Sequence, residues 1–389
     1  MTAPAEMIEL LRRLVEVDSP TGDPAACGLV HDVLAPQFAA LGGAVERVVA
    51  ADRRPVLLAR WGAGPGPLLL GHVDTVFGPD ETSRRPFAVA GRHARGPGVF
   101  DMKAGLVQLV FGLRELAAGG GIPALTVLLN ADEEIGSPGS EPLIRAAAGR
   151  ASCALVLEGA GPQGAVKSAR KGIGLYRVEV DGVAAHSGLD PEKGVNAITE
   201  LAGQLLDIEG LAASEAGTTV NVGVVAGGTG RNVVPAGAGA DFETRFWTLA
   251  EGRRVDAALR RLRPRRERGA VRLSGGVHRQ PMERTAQVAR LVAAARRCAA
   301  ADGWQVGEMR VGGVSDGNIT AALGLPTLDG LGAEGWGAHT ADEVADVAAM
   351  PRRARWLAGL VGAAAELFPT DPAAPAAPAE DRAGGPEVR

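Results

Sequence analysis

Three short apolar segments of this chain lead directly into histidine or acidic residues. They read LLLGHVD from residue 68, LTVLLNADEE from residue 125 and ALVLEG from residue 154. Runs this short and this uniformly apolar are typical of strands that are buried on both faces of a sheet. Segments with helical periodicity lie between and around them, over 106–118 and 142–148. This alternation predicts an α/β fold in which helices flank both faces of a sheet.

The hydrophobic pattern changes after residue 173. Residues 174–181 alternate between apolar and polar side chains, as in a half-exposed strand, and residues 195–206 have helical periodicity. Two further strand-like segments cover 219–225 and 239–247. This order of elements predicts a small α+β unit that is inserted into the first domain.

The domain boundaries follow from these patterns. We predict a discontinuous first domain over residues 1–173 and 285–368, and an inserted domain over residues 174–284. The last segment, 369–389, is rich in proline, alanine, glycine and charged residues, which bury too little apolar surface to order a chain. We therefore expect this segment to be a disordered tail.

The composition argues against two classes of protein. The 389 residues include 41 basic and 45 acidic side chains, and the formal net charge of −4 provides no general attraction for nucleic acid. The basic run Arg260–Arg268 contains no aromatic residues, so we interpret it as a solvated helix end and turn. No segment approaches the ~18 apolar residues of a membrane span, and the first residues do not resemble an export signal. We expect a soluble, cytoplasmic protein with no nucleic-acid or membrane partner.

Five side chains of metal-binding type stand at predicted strand ends or in adjoining loops: His72, Asp101, Glu134, Glu158 and His339. Some have an ordinary alternative, since His72 could be a structural histidine and Asp101 could cap the following helix. Ligands of open α/β sheets gather at the carboxyl ends of the strands, so we expect the five side chains to lie together. Two imidazoles and three carboxylates suit zinc, manganese or cobalt. If Asp101 bridges, each of two metals has three protein ligands.

Several motifs in a fixed order carry a resemblance to a known family. They are GHVDTVFGP, GPGVFDMKAG, NADEEIGSPGS, LEGAGPQG followed by SARKG, AHSGLDPEKGVNAI, GGTGRNVVPA, GGVSDGN and GAHTADE. Together they resemble the M20 family of metallopeptidases, and within it the glutamate carboxypeptidase branch of the carboxypeptidase G type. The resemblance covers residues 6 to 366. It implies a zinc-peptidase-like catalytic domain with a mixed sheet, and an inserted α+β domain that acts as a lid and in dimerisation.

The resemblance also implies the composition of the metal site. Two zinc ions, replaceable by cobalt or manganese, would share Asp101. His72 and Glu158 would complete one site, and Glu134 and His339 would complete the other. A cis peptide bond would follow Asp101.

Three further roles are implied by the resemblance. Glu133 would be the general base and later the general acid. Asp74 would orient His72. His186 would reach across the interface of a homodimer and help to hold the carbonyl oxygen of the bond that is cleaved.

Residues for substrate recognition are suggested by their ability to bind a carboxylate. Arginine binds carboxylates through two parallel hydrogen bonds. Backbone N–H groups that glycine residues leave accessible before a helix also favour anions. The candidates are Arg231, Asn232, Lys171, Arg279, Gly313 and Ser315. An alternative for Arg231 and Arg279 is pairing with surface acids. Two departures from the family pattern, Gln280 after Arg279 and the loop LEGAGPQG after Glu158, put the preference for glutamate in question.

These observations predict a dinuclear zinc hydrolase. It would cleave an amide bond and release a C-terminal amino acid, glutamate by resemblance, from a small peptide or an N-acyl amino acid. The alternative within the same chemistry is a deacylase of the acetylornithine or succinyl-diaminopimelate type. A non-catalytic protein that binds a small acidic ligand is a further alternative, and a serine or cysteine hydrolase lacks a recognisable nucleophile turn.

Overall fold

The computed structural model describes residues 3–368, so the predicted tail lies outside the described residues. The helices of the described chain are α1 (Ala3–Val15), α2 (Pro24–Ala40), α3 (Glu81–Arg84), α4 (Ala104–Ala118), α5 (Glu141–Ala148), α6 (Ala197–Glu209), α7 (Leu249–Leu259), α8 (Ala286–Ala301), α9 (Gly317–Ala322) and α10 (Met350–Leu367). None of these helices is both long and apolar enough to cross a membrane.

The strands of the first half are β1 (Ala44–Val49), β2 (Pro55–Trp61), β3 (Pro67–His72), β4 (Ala88–Ala90), β5 (His93–Arg95), β6 (Leu125–Asn130), β7 (Cys153–Val156), β8 (Val166–Arg170) and β9 (Gly172–Asp181). Those of the second half are β10 (Ala185–His186), β11 (Thr219–Gly227), β12 (Val233–Val234), β13 (Gly237–Phe246), β14 (Ala270–Arg279), β15 (Glu308–Val311), β16 (Thr327–Leu328), β17 (Gly335–Trp336) and β18 (Val344–Asp346).

A mixed six-stranded sheet forms the centre of the fold, in the order β1-β2-β6-β3-β7-β16. Strands β6, β3, β7 and β16 are parallel, whereas β1 and β2 pair antiparallel at one edge. Because β3, β6 and β7 run in the same direction, their carboxyl ends meet at one edge of the sheet. The predicted α/β fold with a mixed sheet is confirmed.

Both faces of this sheet are buried, which explains the uniformly apolar strand sequences. Leu69 and Leu129 point into a core that helices α1, α2, α4, α8 and α10 cover. Leu68 and Leu128 point to the opposite face, where they pack with residues of α5 and α9. Successive residues of a strand face opposite sides, and each such leucine gains about 1.5–3 kcal/mol from burial.

Helix α4 brings the loop before it close to the end of β7. Gly105 lies in its first turn, where a Cβ atom would stand 2.5 Å from the carbonyl oxygen of Leu157. Only glycine permits this approach of the helix to the strand end. The loop that carries Asp101 is thereby placed beside Glu158.

The second unit is an antiparallel four-stranded sheet in the order β11-β13-β9-β14. Helices α6 and α7 pack on one face through Leu201, Val255 and Leu259, against Val178 and Phe242 of the sheet. This is the predicted α+β insertion. The chain enters this sheet at β9 and leaves it at β14, and the exact domain boundaries at 174 and 284 stay a prediction.

Candidate metal centre

Two groups of potential metal ligands lie together at the carboxyl edge of the central sheet. The first contains His72, Asp101 and Glu158, and the second contains Asp101, Glu134 and His339. Within each group the ligand atoms lie within 4.8 Å of one another. The structure therefore brings together all five side chains that the sequence singles out, and Asp101 belongs to both groups.

The two carboxylate oxygens of Asp101 point to different histidines. Asp101 Oδ1 lies 3.3 Å from His72 Nε2, and Asp101 Oδ2 lies 3.2 Å from His339 Nε2. Glu158 Oε1 is 3.5 Å from His72 Nε2, and Glu134 Oε2 is 3.1 Å from His339 Nε2. A carboxylate that is divided in this way can bridge two cations.

Each side chain is placed by a different element. His72 is the last residue of β3, and Glu158 follows the neighbouring parallel strand β7. Glu134 lies in a single 3-10 turn, Glu133–Ile135, after β6. Asp101 lies in the turn before α4, where it does not cap the helix, and the peptide bond after it is cis, as the resemblance implies. His339 lies between β17 and β18.

Two buried atoms of the centre have no hydrogen-bond partner among the described residues. They are His72 Nε2 and Asp101 Oδ1, which face each other across 3.3 Å. Leaving a buried polar atom unsatisfied costs about 1–3 kcal/mol, and more for a charged group. A cation that both atoms contact would remove this cost. The donor set of nitrogen and oxygen atoms therefore fits a pair of divalent cations of the zinc, cobalt or manganese type.

The charged residues of the centre strongly shift one another's pKa values. The carboxylates of Asp101 and Glu134 raise the pKa of His339 to about 10. Burial opposes ionisation of Asp101, but the nearby imidazoles of His339 and His72 outweigh it and hold its pKa below the ordinary value. Burial, together with the charge of Glu158, raises the pKa of Glu133 well above the ordinary range. This excess of carboxylates requires a positive charge or protons.

Asp74 contacts His72 mainly through its backbone. The carbonyl oxygen of Asp74 lies 3.0 Å from His72 Nδ1, whereas the carboxylate oxygen Oδ1 lies 3.4 Å away. The carboxylate instead accepts hydrogen bonds from Thr21 Oγ1 at 2.8 Å and from the backbone N–H groups of Glu133 and Glu134 at 3.3 and 3.2 Å. Asp74 thus contacts both the histidine and the glutamate pair.

Of the candidate substrate residues, Arg279 is already engaged by this chain. Its side chain is only 7% exposed, its Nη1 atom lies 2.9 Å from Glu141 Oε2, and it also donates to the carbonyl oxygen of Gly136. This is the pairing with an acid that the sequence left open, although Arg279 is buried and Glu141 is only partly exposed. Arg231 and Asn232 are exposed, on the loop before β12.

Lys171 follows Arg170 in the chain and does not belong to either ligand group. Its Nζ atom is 5.4 Å from the centroid of the Trp247 ring. The preceding residue, Arg170, is buried and reaches to 4.0 Å from Glu158 Oε2. Arg170 also forms two hydrogen bonds to Asp329, at 2.6 and 3.1 Å. Arg170 and Asp329 were not predicted, although Arg170 stands within the motif SARKG.

Gly313 and Ser315 connect to the same buried pair. The carbonyl oxygen of Gly313 accepts a hydrogen bond from Arg170 Nη1, and Ser315 Oγ donates to Asp329 Oδ2 at 2.6 Å. His186 is exposed in the short sheet of β10 and β12, and its Nδ1 atom accepts the backbone N–H groups of Gly188 and Leu189. It does not belong to either ligand group.

Comparisons with known proteins agree with this geometry. A family model described as peptidase family M20/M25/M40 matches residues 68–363. Carboxypeptidase G2 of Pseudomonas sp. (strain RS-16) is 30% identical over 371 residues, which cover 91% of this chain and 88% of that protein. Acetylornithine deacetylase of Proteus mirabilis (strain HI4320) is 32% identical over 201 residues, 49% of this chain and 51% of that protein.

A solved structure supports the same fold. The crystal structure of aminopeptidase PepT from Bacillus cereus ATCC 10987 superimposes with a TM-score of 0.80 at 23% identity, over 93% of this chain and 99% of that chain. The predicted family is confirmed, and with it the class of hydrolytic metallopeptidases. The chain belongs to peptidase family M20/M25/M40.

Proposed function

We propose that this protein is a dinuclear zinc-dependent hydrolase that cleaves an amide bond and releases a C-terminal amino acid, glutamate in the first place, from a small peptide or an N-acyl amino acid. The observation that carries the proposal is the position of Asp101 between two three-residue ligand groups. A shared carboxylate of this kind would hold two cations close together. Such a pair polarises the amide carbonyl and lowers the pKa of a water molecule.

The roles of the ligands follow the two groups. His72 and Glu158 would hold one zinc ion, Glu134 and His339 the other, and Asp101 both. The contacts that support this assignment are the orphaned atoms of His72 and Asp101 and the division of the Asp101 oxygens between the two histidines. Cobalt or manganese would fit the same donors.

Glu133 is the proposed general base. It is the first residue of the 3-10 turn that also contains Glu134. Within residues 3–368, its carboxylate accepts no hydrogen bond. Neighbouring residues of a turn point in different directions, so Glu134 can hold metal while Glu133 faces the water. Glu133 would accept the proton of the attacking water and deliver it to the amide nitrogen that leaves.

Recognition of the substrate carboxylate is proposed for Arg279, Lys171 and the backbone of Gly313 and Ser315. In a homodimer, the exposed His186, Arg231 and Asn232 would complete the site of the other subunit. The hydrogen bond from Ser187 N to the carbonyl oxygen of Asn232, 3.1 Å long, ties these residues into one exposed unit of the insertion. Sedimentation of a fully active monomer would contradict this part of the proposal.

The second candidate is a deacylase of the acetylornithine type. Two observations favour it. The first is the likeness to an acetylornithine deacetylase. The second is the ion pair of Glu141 with Arg279, because Glu141 offsets the positive charge that would bind an acidic side chain of the substrate.

A substrate panel separates the two functions. The zinc-loaded protein is assayed with an aminobenzoyl-glutamate conjugate, an N-acyl-glutamate and N-acetylornithine, before and after treatment with a chelator. We expect the glutamate conjugates to be cleaved fastest, the chelator to abolish hydrolysis and zinc to restore it. Turnover of acetylornithine alone supports the deacylase, and activity that persists without metal contradicts both functions.

The Glu133→Gln variant tests the proposed base in the same assay. It should bind the same number of zinc ions as the unchanged protein while hydrolysis falls by at least about a hundredfold, the usual range for loss of a general base. Undiminished hydrolysis would remove Glu133 from this role.

A further inference from the structure

Glu343 is a buried acid close to the metal centre to which the sequence assigned no role. Its side chain is 1% exposed, and both carboxylate oxygens are used. Oε2 accepts the backbone N–H of Gly98 at 2.9 Å, and Oε1 accepts those of Phe100 and Asp101 at 2.8 and 2.9 Å. Three backbone donors of the turn before α4 therefore converge on one carboxylate.

The turn is also tightly packed around Gly98. Gly98 has a φ of +70°, and a Cβ atom there would lie 2.6 Å from Thr75 Cγ2. The backbone of the turn thus has little room to shift towards Thr75. Glu343 provides the acceptors for three N–H groups of this turn, because N–H groups at the start of a helix have no partner within the helix.

Glu343 belongs to the same hairpin as His339. Strands β17 and β18 pair through Gly335 with Ala345 and Trp336 with Val344. His339 lies in the connection between these strands, and Glu343 directly precedes β18. One carboxylate therefore joins the hairpin of His339 to the turn of Asp101, whose side chains meet at 3.2 Å.

We propose that Glu343 is a positioning residue that holds Asp101 and His339 at the correct separation for the second ligand group. The proposal rests on the proposed function in so far as these two residues bind metal. The carboxylate is specifically suited to the task, since it offers acceptors only. A glutamine at this position would turn its NH₂ group either against the N–H of Gly98 or against those of Phe100 and Asp101.

Asp346 provides a matched control in the same hairpin. It is also a buried acid, 7% exposed, and it is the last residue of β18. It accepts the backbone N–H groups of Ala348 and Ala349 and pairs with Arg92. None of these partners lies in the turn of Asp101. The Asp346→Asn variant therefore removes a buried negative charge from the same hairpin, at the pair with Arg92, without touching the candidate ligands.

The test begins with the metal-free protein, because the contacts of Glu343 exist without a cation. Hydrogen exchange of the backbone amides over 98–101 is measured by mass spectrometry for the unchanged protein, Glu343→Gln and Asp346→Asn. We expect exchange in this segment to accelerate at least about tenfold in Glu343→Gln only. Zinc titration should then show the weaker of two sites losing about 10–100-fold in affinity, the usual effect of changing a residue that orients a ligand.

The kinetic consequence should separate positioning from substrate binding. In zinc-limited assays kcat should fall in Glu343→Gln while KM stays nearly constant, and excess zinc should restore part of kcat. Unchanged exchange and unchanged zinc affinity in Glu343→Gln would overturn the proposal, as would equal losses in Asp346→Asn. If Glu343→Gln does not fold, Glu343→Asp, which keeps the charge but shortens the reach, is measured by the same criteria.

The proposed function and the role of Glu343 can be disproved separately. If the unchanged protein hydrolysed no amide substrate, the proposed function would be contradicted, but the hydrogen-exchange result for Glu343→Gln would still stand. Normal hydrolysis of glutamate conjugates with no exchange difference in Glu343→Gln would remove only the role of Glu343.

Discussion

The carboxylate of Asp74 accepts a hydrogen bond from the backbone N–H of Glu134, with 3.2 Å between Asp74 Oδ2 and the nitrogen. The same carboxylate holds the N–H of Glu133 through Oδ1. The backbone carbonyl of Asp74 lies against His72. A single residue therefore links a candidate ligand of the first group to a candidate ligand of the second group and to the proposed base.

This relationship predicts a double effect of the Asp74→Asn change. An asparagine keeps one acceptor oxygen but turns its NH₂ group against one of the two N–H donors. We expect zinc affinity to fall by about 10–100-fold and kcat to fall more strongly than KM rises. Thr21→Val, which removes only the hydroxyl that donates to Asp74, should have a much smaller effect. Equal zinc titrations for the Asp74→Asn variant and the unchanged protein would contradict this prediction.

The buried pair of Arg170 and Asp329 predicts a large and strongly non-additive effect on stability. Asp329 is fully buried, and Arg170 Nε lies 2.6 Å from its Oδ2 atom. Arg170→Met leaves a buried carboxylate without its charged partner, which typically costs about 3–5 kcal/mol. The double variant Arg170→Met, Asp329→Asn should recover part of this loss. Unfolding in urea measures the free energies, and additive losses would show that the two side chains do not act as a pair.

The ion pair of Glu141 with Arg279 predicts a change in substrate selectivity. Glu141→Gln leaves the Arg279 guanidinium without its counter-charge, so an acidic substrate side chain or carboxylate gains a stronger partner. We expect kcat/KM for a glutamate conjugate, relative to that for a neutral C-terminal residue, to rise about tenfold, which corresponds to about 1.4 kcal/mol. Arg145→Gln serves as the control, because Arg145 contacts the other oxygen of Glu141. An unchanged ratio in Glu141→Gln would exclude Arg279 from recognition of an acidic substrate side chain.

His31 predicts a loss of stability in mild acid. Burial in α2 lowers the pKa of His31 from 6.5 to about 4. Because its pKa in the folded state lies below that in the unfolded state, the folded chain binds this proton less readily. The contribution of neutral His31 to the free energy of unfolding is fully present above pH 6.5. It is lost as the pH falls towards 4, by an amount on the order of 3 kcal/mol.

The His31→Leu variant isolates this contribution. The difference in unfolding free energy between the variant and the unchanged protein is measured by denaturant titration at several values from pH 7 to pH 4. It should shift in favour of the variant as the pH falls through this window, since leucine does not titrate. A difference that is independent of pH would contradict the burial of a neutral His31.

The ligand groups could be predicted from the sequence because most of their residues stand at the ends of short apolar segments. His72, Glu134 and Glu158 each follow a uniformly apolar strand, and parallel neighbours bring such strand ends to one edge. Asp101 and His339 were found through motifs rather than through periodicity. Helices α4 and α5 were also predicted from their helical periodicity.

Other features depend on contacts that no local pattern reveals. Arg170 and Asp329 are 159 residues apart, and Glu343 is 245 residues from Gly98. The pairing of Arg279 with Glu141 joins β14 to α5, so the sequence could offer pairing with an acid only as an alternative. Strand β14 was not predicted, because its sequence AVRLSGGVHR contains two glycines and few buried residues.

Crystallographic anomalous scattering at the zinc edge tests the two-metal site most directly. Crystals of the zinc-loaded protein should give two peaks about 3.5–4 Å apart, one on each side of Asp101, with His72 and Glu158 at the first and Glu134 and His339 at the second. A single peak, or peaks away from Asp101, would contradict the account.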